Sequence, residues 1–446
     1  MLRIAAISMA LLLAPVSTVN AAQPPLARMD EVVRSFVGMN QFMGAVLVEK
    51  DGKVIFDKAY GSADLEWNIP NTTDTKFRIG SITKQFTAAA IVLLEERGKL
   101  KFDDEIGQHL HGLPLAWQKA TIAQLLHHTS GIYNFTRLQE LEWTRPTLSY
   151  EWMIARIKDR PLDFAPGEKF AYSNTGYMLL SMLIEKISDQ TYAQFLQDNI
   201  FTPLGMKDSG FDTNAAILTN RARGYERKDG ALINASFIDM TNTYGAGGLY
   251  STTHDLLTWQ KALFAGKVVK PASFKVMTTP AKEDYGFGLV LRSNDGHRRI
   301  WHNGGINGFT SNLVTLPDDR LTVIVLNNAQ GPTDGITDNL TALMLGRTVI
   351  LPSERKEVAV DEKTLARYVG RYEMRPDFIF EITLENGKLI SQASKQNKVS
   401  IFAESEKKFF TRTFDSQITF VTQGDGPATS LILHQAGRDQ TAKRLP

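Results

Sequence analysis

Apolar positions along the chain follow two rhythms. Residues 44–60, GAVLVEKDGKVIFDKAY, show apolar alternation around the dipeptide Asp51-Gly52, which predicts a β-hairpin. From Phe86 to Leu94 every position but Thr87 is apolar. That run predicts a buried helix, with Gly98 suited to its C-terminal stop. Helical spacing then dominates from Ile122 to Phe201, as in GYMLLSMLIEKIS. Strand-like runs return late, in YGFGLVLRS from Tyr285, FTSNLVTLP from Phe309 and RLTVIVLNN from Arg320. Strands therefore open and close this region while helices fill its middle. The pattern predicts an α+β fold, one sheet built from both chain ends with a helical insertion between them.

The text changes at Leu351. The segment PSERKEVAVDEK that follows is polar and charged, and residues 351–360 read as a linker. Short strand patterns follow in FIFEITLENGKLISQAS, with Asn386-Gly387 as a hairpin turn, then in FFTRTF, SQITFVT and TSLILHQ. Short strands at regular spacing predict a small all-β barrel or sandwich over 361–446.

The 446 residues suffice for two or three domains, and no repeat or low-complexity tract interrupts them. With 50 basic and 48 acidic residues the net charge is +2, which gives no reason to expect nucleic acid or an anionic membrane as partner. The N-terminus has one cation, Arg3, before an apolar run from Ile4 to Val16, and VNA ends at Ala21. Residues 1–21 thus read as a secretory signal peptide cleaved after Ala21. The run is too short to span a bilayer comfortably, and no other stretch reaches membrane length, so no stable membrane insertion is expected. With no cysteine, the protein must rest on packing alone in an exported compartment, secreted or periplasmic.

Candidate chemistry begins at the mouth of the apolar helix. Ser81 and Lys84 stand three residues apart and share a helix face. Free backbone N–H groups at the helix start favour negative charge on the hydroxyl. Burial acts oppositely on the lysine, easing loss of its proton and making it a base. The same spacing recurs at Ser353/Lys356 and Ser405/Lys408, but in charged runs where nothing would desolvate a lysine. Two further segments matter: Tyr172-Ser173-Asn174, and His302-Asn303-Gly304-Gly305 before a strand pattern.

Ser-x-x-Lys, then Tyr-x-Asn, then His-x-Gly, in that order, resembles the serine β-lactamase and penicillin-binding-protein superfamily. The chain looks most like the branch holding class C β-lactamases, D-alanyl-D-alanine carboxypeptidases, D-amino-acid peptidases and esterases. LLHHTSGI, FAPGEKFAYSNTGY, FTPLGM and GAGGLYSTTHDLLTW add to the likeness, which spans about 30–350. The last region resembles lipocalin-like β-barrels. The resemblance implies a β-lactamase-like hydrolase domain over 22–350, an antiparallel sheet flanked by helices. It implies Ser81 as an acyl-forming nucleophile, Lys84 beside it, and Tyr172 as a proton shuttle whose phenol a nearby Lys84 cation would make useful. Asn174 would orient the lysine and donate to a substrate carbonyl. His302, Asn303, Gly304 and Gly305 would form the third motif against substrate, with backbone N–H groups of Ser81 and Gly305 as the oxyanion hole.

No cofactor is implied. His127-His128 falls in a family phrase, and adjacent helical residues point apart, so no metal is expected. Asp255, after Thr252-Thr253, reads as helix N-terminal chemistry. The expected activity is hydrolysis of amides or esters in a small-molecule or peptide substrate, chiefly D-amino-acid peptides or cell-wall fragments. Two alternatives stand beside it. One is a β-lactamase, set back because His302 replaces the motif's lysine. The other is a non-catalytic penicillin- or peptide-binding protein, whose signature would be a damaged motif.

Overall fold

The computed structural model describes residues 26–446 except 140–143, 229, 395, 413–415 and 436–437. The expected signal peptide, and the end of the strand expected over FFTRTF, lie outside the described residues.

A six-stranded antiparallel sheet forms the centre of the first region. Its strands are β1 (Gly44–Lys50), β2 (Lys53–Tyr60), β3 (Val290–Asn294), β4 (His297–Ile306), β5 (Phe309–Leu316) and β6 (Leu321–Asn327). Their order is β3-β4-β5-β6-β1-β2. The N-terminal hairpin therefore pairs with the last strand of the C-terminal meander, with Ala45 opposite Leu326 and Leu47 opposite Ile324. The β1–β2 turn is made by Asp51 and Gly52, both at positive φ (54° and 83°), as a two-residue hairpin requires.

Both faces of this sheet are covered. Val46, Val48, Val323 and Val325 pack under α1 (Leu26–Gly38) and a C-terminal helix, Thr333–Met344. Ala45, Leu47, Ile324 and Leu326 face the helical insertion. Buried on two sides, β1 and β6 read as continuous apolar runs rather than alternating ones. Alternation survives in β2, which leaves one face partly open.

Two helices of the insertion carry the site. Residues Gly80–Ile82 form a 3₁₀ turn that runs into α2 (Thr83–Glu96). Apart from its C-terminal end, α2 is buried almost all round, with Phe86 stacked on Trp259 at 4.1 Å between ring centroids. Gly98, at φ +66°, ends it as expected. Helix α3 (Asn174–Ser188) packs beside α2, and its Tyr177, Leu180 and Leu183 are buried in the same apolar core.

From Gly370 to Arg444, eight strands form a closed antiparallel barrel, sealed where Tyr372 pairs with Arg444. Its own apolar core holds Tyr368, Tyr372, Phe409 and Phe420, with Tyr368 and Phe420 stacked at 4.5 Å. Asn386-Gly387 is the expected turn, with φ of 50° and 73°. Residues 351–360 include a 3₁₀ turn, Pro352–Glu354, and Val358 donates its N–H to the Ala403 carbonyl of the barrel.

Candidate active site

Ser81 sits on the 3₁₀ turn at the mouth of α2, partly exposed, and lines a cleft of ≈ 210 Å³ with Phe135, Thr136, Asn174, Gly305 and Asn307. Lys84, one turn further in, is fully buried. Its Nζ lies 3.1 Å from Ser81 Oγ, 2.8 Å from Asn174 Oδ1 and 2.7 Å from the Ala246 carbonyl oxygen. Burial pushes the amine well below the ordinary lysine pKa. The three partners then decide what the amine does once it has lost a proton. The Asn174 and Ala246 oxygens only accept, so they take its two hydrogens. The remaining lone pair faces Ser81 Oγ, where a base is needed.

Asn174, first residue of α3, is itself held. Its N–H donates to Asn134 Oδ1 at 3.2 Å and its Nδ2 to Thr136 Oγ1 at 3.3 Å. Tyr172, two residues earlier, brings its ring to 4.7 Å from Lys84 Nζ, centroid to nitrogen. Lys84 does not have the effect on this phenol that the sequence led us to expect. Desolvation dominates and raises the Tyr172 pKa, and a hydrogen bond with Ser81 offsets this only in part. The amine lies over the ring face, and its own charge is disfavoured by burial, so it cannot draw the phenol down. Although 36% of Tyr172 is exposed, the phenol is a neutral proton donor at pH 7.

The third motif lies inside β4, not before a strand, and strand alternation sorts its residues. Gly304 pairs with Ser311, and a Cβ there would stand 2.0 Å from the Ile79 carbonyl oxygen and 2.5 Å from Ser311 Oγ. Only glycine lets the strand lie this close to the chain entering the Ser81 turn. Gly80 in turn abuts Gly305, and Gly305 reaches the cleft. Gly304→Ala is therefore expected to destabilise the fold by about 1–3 kcal/mol or more, read by thermal unfolding. Gly305→Ala, whose Cβ would meet nothing within 4 Å, should unfold at the wild-type temperature.

Two expectations at this motif need correction. Asn303 pairs with Asn312, whose Nδ2 bonds Asp334 and Thr337 of the helix covering the far face. The Asn303 side chain shares that face, so it does not meet substrate beside Ser81. His302 is on the near face but only 3% exposed. Its Nδ1 lies 2.6 Å from the Asn303 carbonyl oxygen, which only accepts, so the proton is on Nδ1. Nε2 must then accept, and Tyr285 Oη donates to it at 2.9 Å. Both nitrogens are used within the protein. Burial lowers the His302 pKa to about 3, so the ring is neutral and offers substrate no charge.

Several contributors escaped the sequence reading. The Ala246 carbonyl is a backbone group in GAGGLYS and leaves no side-chain signal. Tyr285 holds His302 across 17 positions, a partnership with no local signature. His128 is buried among aromatic rings, 4.3 Å from Tyr172, and its Nδ1 accepts from the Ser173 N–H at 3.1 Å. His127 bonds the Tyr285 carbonyl oxygen through Nδ1 at 2.9 Å. Asp255 takes the helix-terminal place expected of it: its N–H donates to Thr252 Oγ1 at 3.2 Å. The two other Ser-x-x-Lys pairs stay outside the site. In one of them Ser405 merely accepts from the Lys408 N–H in a surface turn.

The family model described as beta-lactamase matches residues 29–346. This chain belongs to the β-lactamase family. It is a serine hydrolase related to the β-lactamases and penicillin-binding proteins. Penicillin-binding protein 4* of Bacillus subtilis is 30% identical over 440 residues, covering 91% of this chain and 95% of that protein. A D-aminopeptidase of Brucella anthropi is 28% identical over 333 residues, which are 71% of this chain and 61% of that protein. Among solved structures, the octameric penicillin-binding protein homologue from Pyrococcus abyssi superposes with a TM-score of 0.67 at 26% identity, covering 94% of this chain and all of that one. Residues 354–444 match a domain of unknown function, DUF3471. No helix among the described residues is long and apolar enough to cross a membrane.

Proposed function

We propose that this chain is an exported hydrolase that cleaves amide or ester bonds through a Ser81 acyl-enzyme, in small peptides containing D-amino acids or in cell-wall fragments. The observation that carries the chemistry is the environment of Lys84: a fully buried amine with two carbonyl acceptors and one hydroxyl. As Ser81 Oγ attacks a substrate carbonyl, its proton passes to the Lys84 lone pair. The oxyanion forms beside the backbone N–H groups of Ser81 and Gly305. Collapse breaks the scissile bond, and the leaving amine or alcohol takes a proton from Tyr172, which Lys84 replenishes. Water then attacks the ester, with the same groups returning its proton.

The Brucella anthropi D-aminopeptidase and the penicillin-binding relatives favour D-amino-acid peptides. Export rests on the apolar leader at 1–21. The neutral, internally bonded His302 argues against efficient β-lactam turnover, because it puts no cation at the third-motif position, where β-lactamases carry a lysine for the substrate carboxylate. Incubation with a mixed set of esters, D-peptides and penicillins tests the reading. Multiple turnovers are expected on D-peptides or esters, while penicillins leave a slowly released adduct visible in the intact mass. Turnover of none, or rapid turnover of penicillins alone, would refute it.

A further inference from the structure

Beside the Ser81 cleft lies a second cavity of ≈ 480 Å³, walled in part by Arg78, Arg221, Arg223 and Phe309. Ile238 and Asn307 line both, so the two spaces adjoin. Charge is not balanced along this wall. Arg78 Nε donates to Asp212 Oδ2 at 2.7 Å, and Arg221 Nη1 donates to Asp212 Oδ1 at 2.9 Å. Asp212 is 1% exposed. One buried carboxylate thus serves two guanidinium groups, leaving one positive charge in excess. Arg223 is neutralised separately by Asp64 and Glu66.

The unused donors point to a ligand. Among the described residues, Arg78 donates through Nε alone, so neither terminal nitrogen has a protein acceptor. Among the described residues, Arg221 engages only through Nη1, to Asp212 and, at 3.3 Å, to the Thr213 carbonyl. Arg78 is also fixed in orientation, its guanidinium 5.7 Å from the Phe309 ring centroid and its Nε tied to Asp212. A planar fork held at one end, with free N–H groups at the other, matches the two oxygens of a carboxylate. A single surplus charge suits a monoanion better than a doubly charged phosphate.

We propose that Arg78 and Arg221 form an anion subsite that binds a carboxylate of the molecule processed at Ser81. The proposal rests on Ser81 being the nucleophile. It gives the substrate carboxylate a partner that His302 does not provide.

Two substrate pairs test it on the full chain. N-succinyl- and N-acetyl-D-alanine p-nitrophenyl esters differ by a carboxylate on the acyl side. N-acetyl-D-alanyl-D-lactate and its methylamide differ on the leaving side. In at least one pair the wild type is expected to favour the acid in kcat/KM. Arg78→Gln and Arg221→Gln, each leaving Asp212 one arginine, should each cut that acid-to-neutral ratio by about tenfold. Taking the ratio within one variant cancels any general loss of folded enzyme. Absence of a wild-type preference in both pairs overturns the subsite, as does a preference that survives both substitutions. If Ser81 is still labelled by a fluorophosphonate in those cases, only the subsite falls. If Ser81 is not labelled, the hydrolase reading falls with it.

Discussion

Ser81→Ala is expected to lose about 10³–10⁶ of kcat while melting within a few degrees of the wild type. The loss follows from removing the only atom that forms the covalent bond. The small effect on stability follows from the surroundings. Ser81 is partly exposed on a 3₁₀ turn, and Lys84 keeps the Asn174 and Ala246 acceptors without it. The measurements are a kinetic assay on the best ester or D-peptide and a thermal melt. A variant that retains turnover, or that fails to fold, contradicts the assignment.

Lys84→Arg should be nearly as damaging, losing about 10²–10⁴ or more of kcat. It preserves positive charge and hydrogen-bond donors, so a purely electrostatic role would survive it. A guanidinium does not deprotonate at accessible pH and has no lone pair to give Ser81. It is also larger than the ammonium it replaces in a fully buried place. The pH profile separates the two roles in the wild type. Activity needs neutral Lys84, so kcat/KM should rise with pH through the folded pKa of this group, which burial sets well below the usual 10.5. The ascending limb should therefore lie far below that value. Because the Tyr172 pKa is raised rather than lowered, no descending limb is expected near pH 10 from its ionisation. A rise only near the ordinary lysine pKa would contradict the base assignment.

The tight turns and the nucleophile helix were legible in the sequence because each rests on local chemistry. Asp51-Gly52 and Asn386-Gly387 announce positive φ, and the apolar text after Ser81 announces a helix with no exposed face. Barrel strands Gly370–Arg375 and Val399–Ala403 were less visible, since each is short and interrupts its apolar positions with polar ones. At the site, side chains within one motif could be read, but strand phase could not. Treating His302–Gly305 as an approach to a strand rather than part of one hid the alternation that turns Asn303 away. The backbone oxygen of Ala246, the Tyr285–His302 bond and the Asp212 pairing of Arg78 with Arg221 depend on residues distant in sequence. Only assembly of the sheet and the helical insertion brings them together.

The most direct measurement is peptide mapping by mass spectrometry after brief reaction with a fluorophosphonate at neutral pH. The account predicts one adduct, on the peptide containing Ser81, which vanishes in Ser81→Ala and forms far more slowly in Lys84→Arg. An adduct on another residue, or undiminished labelling of Ser81 when Lys84 is arginine, would contradict it.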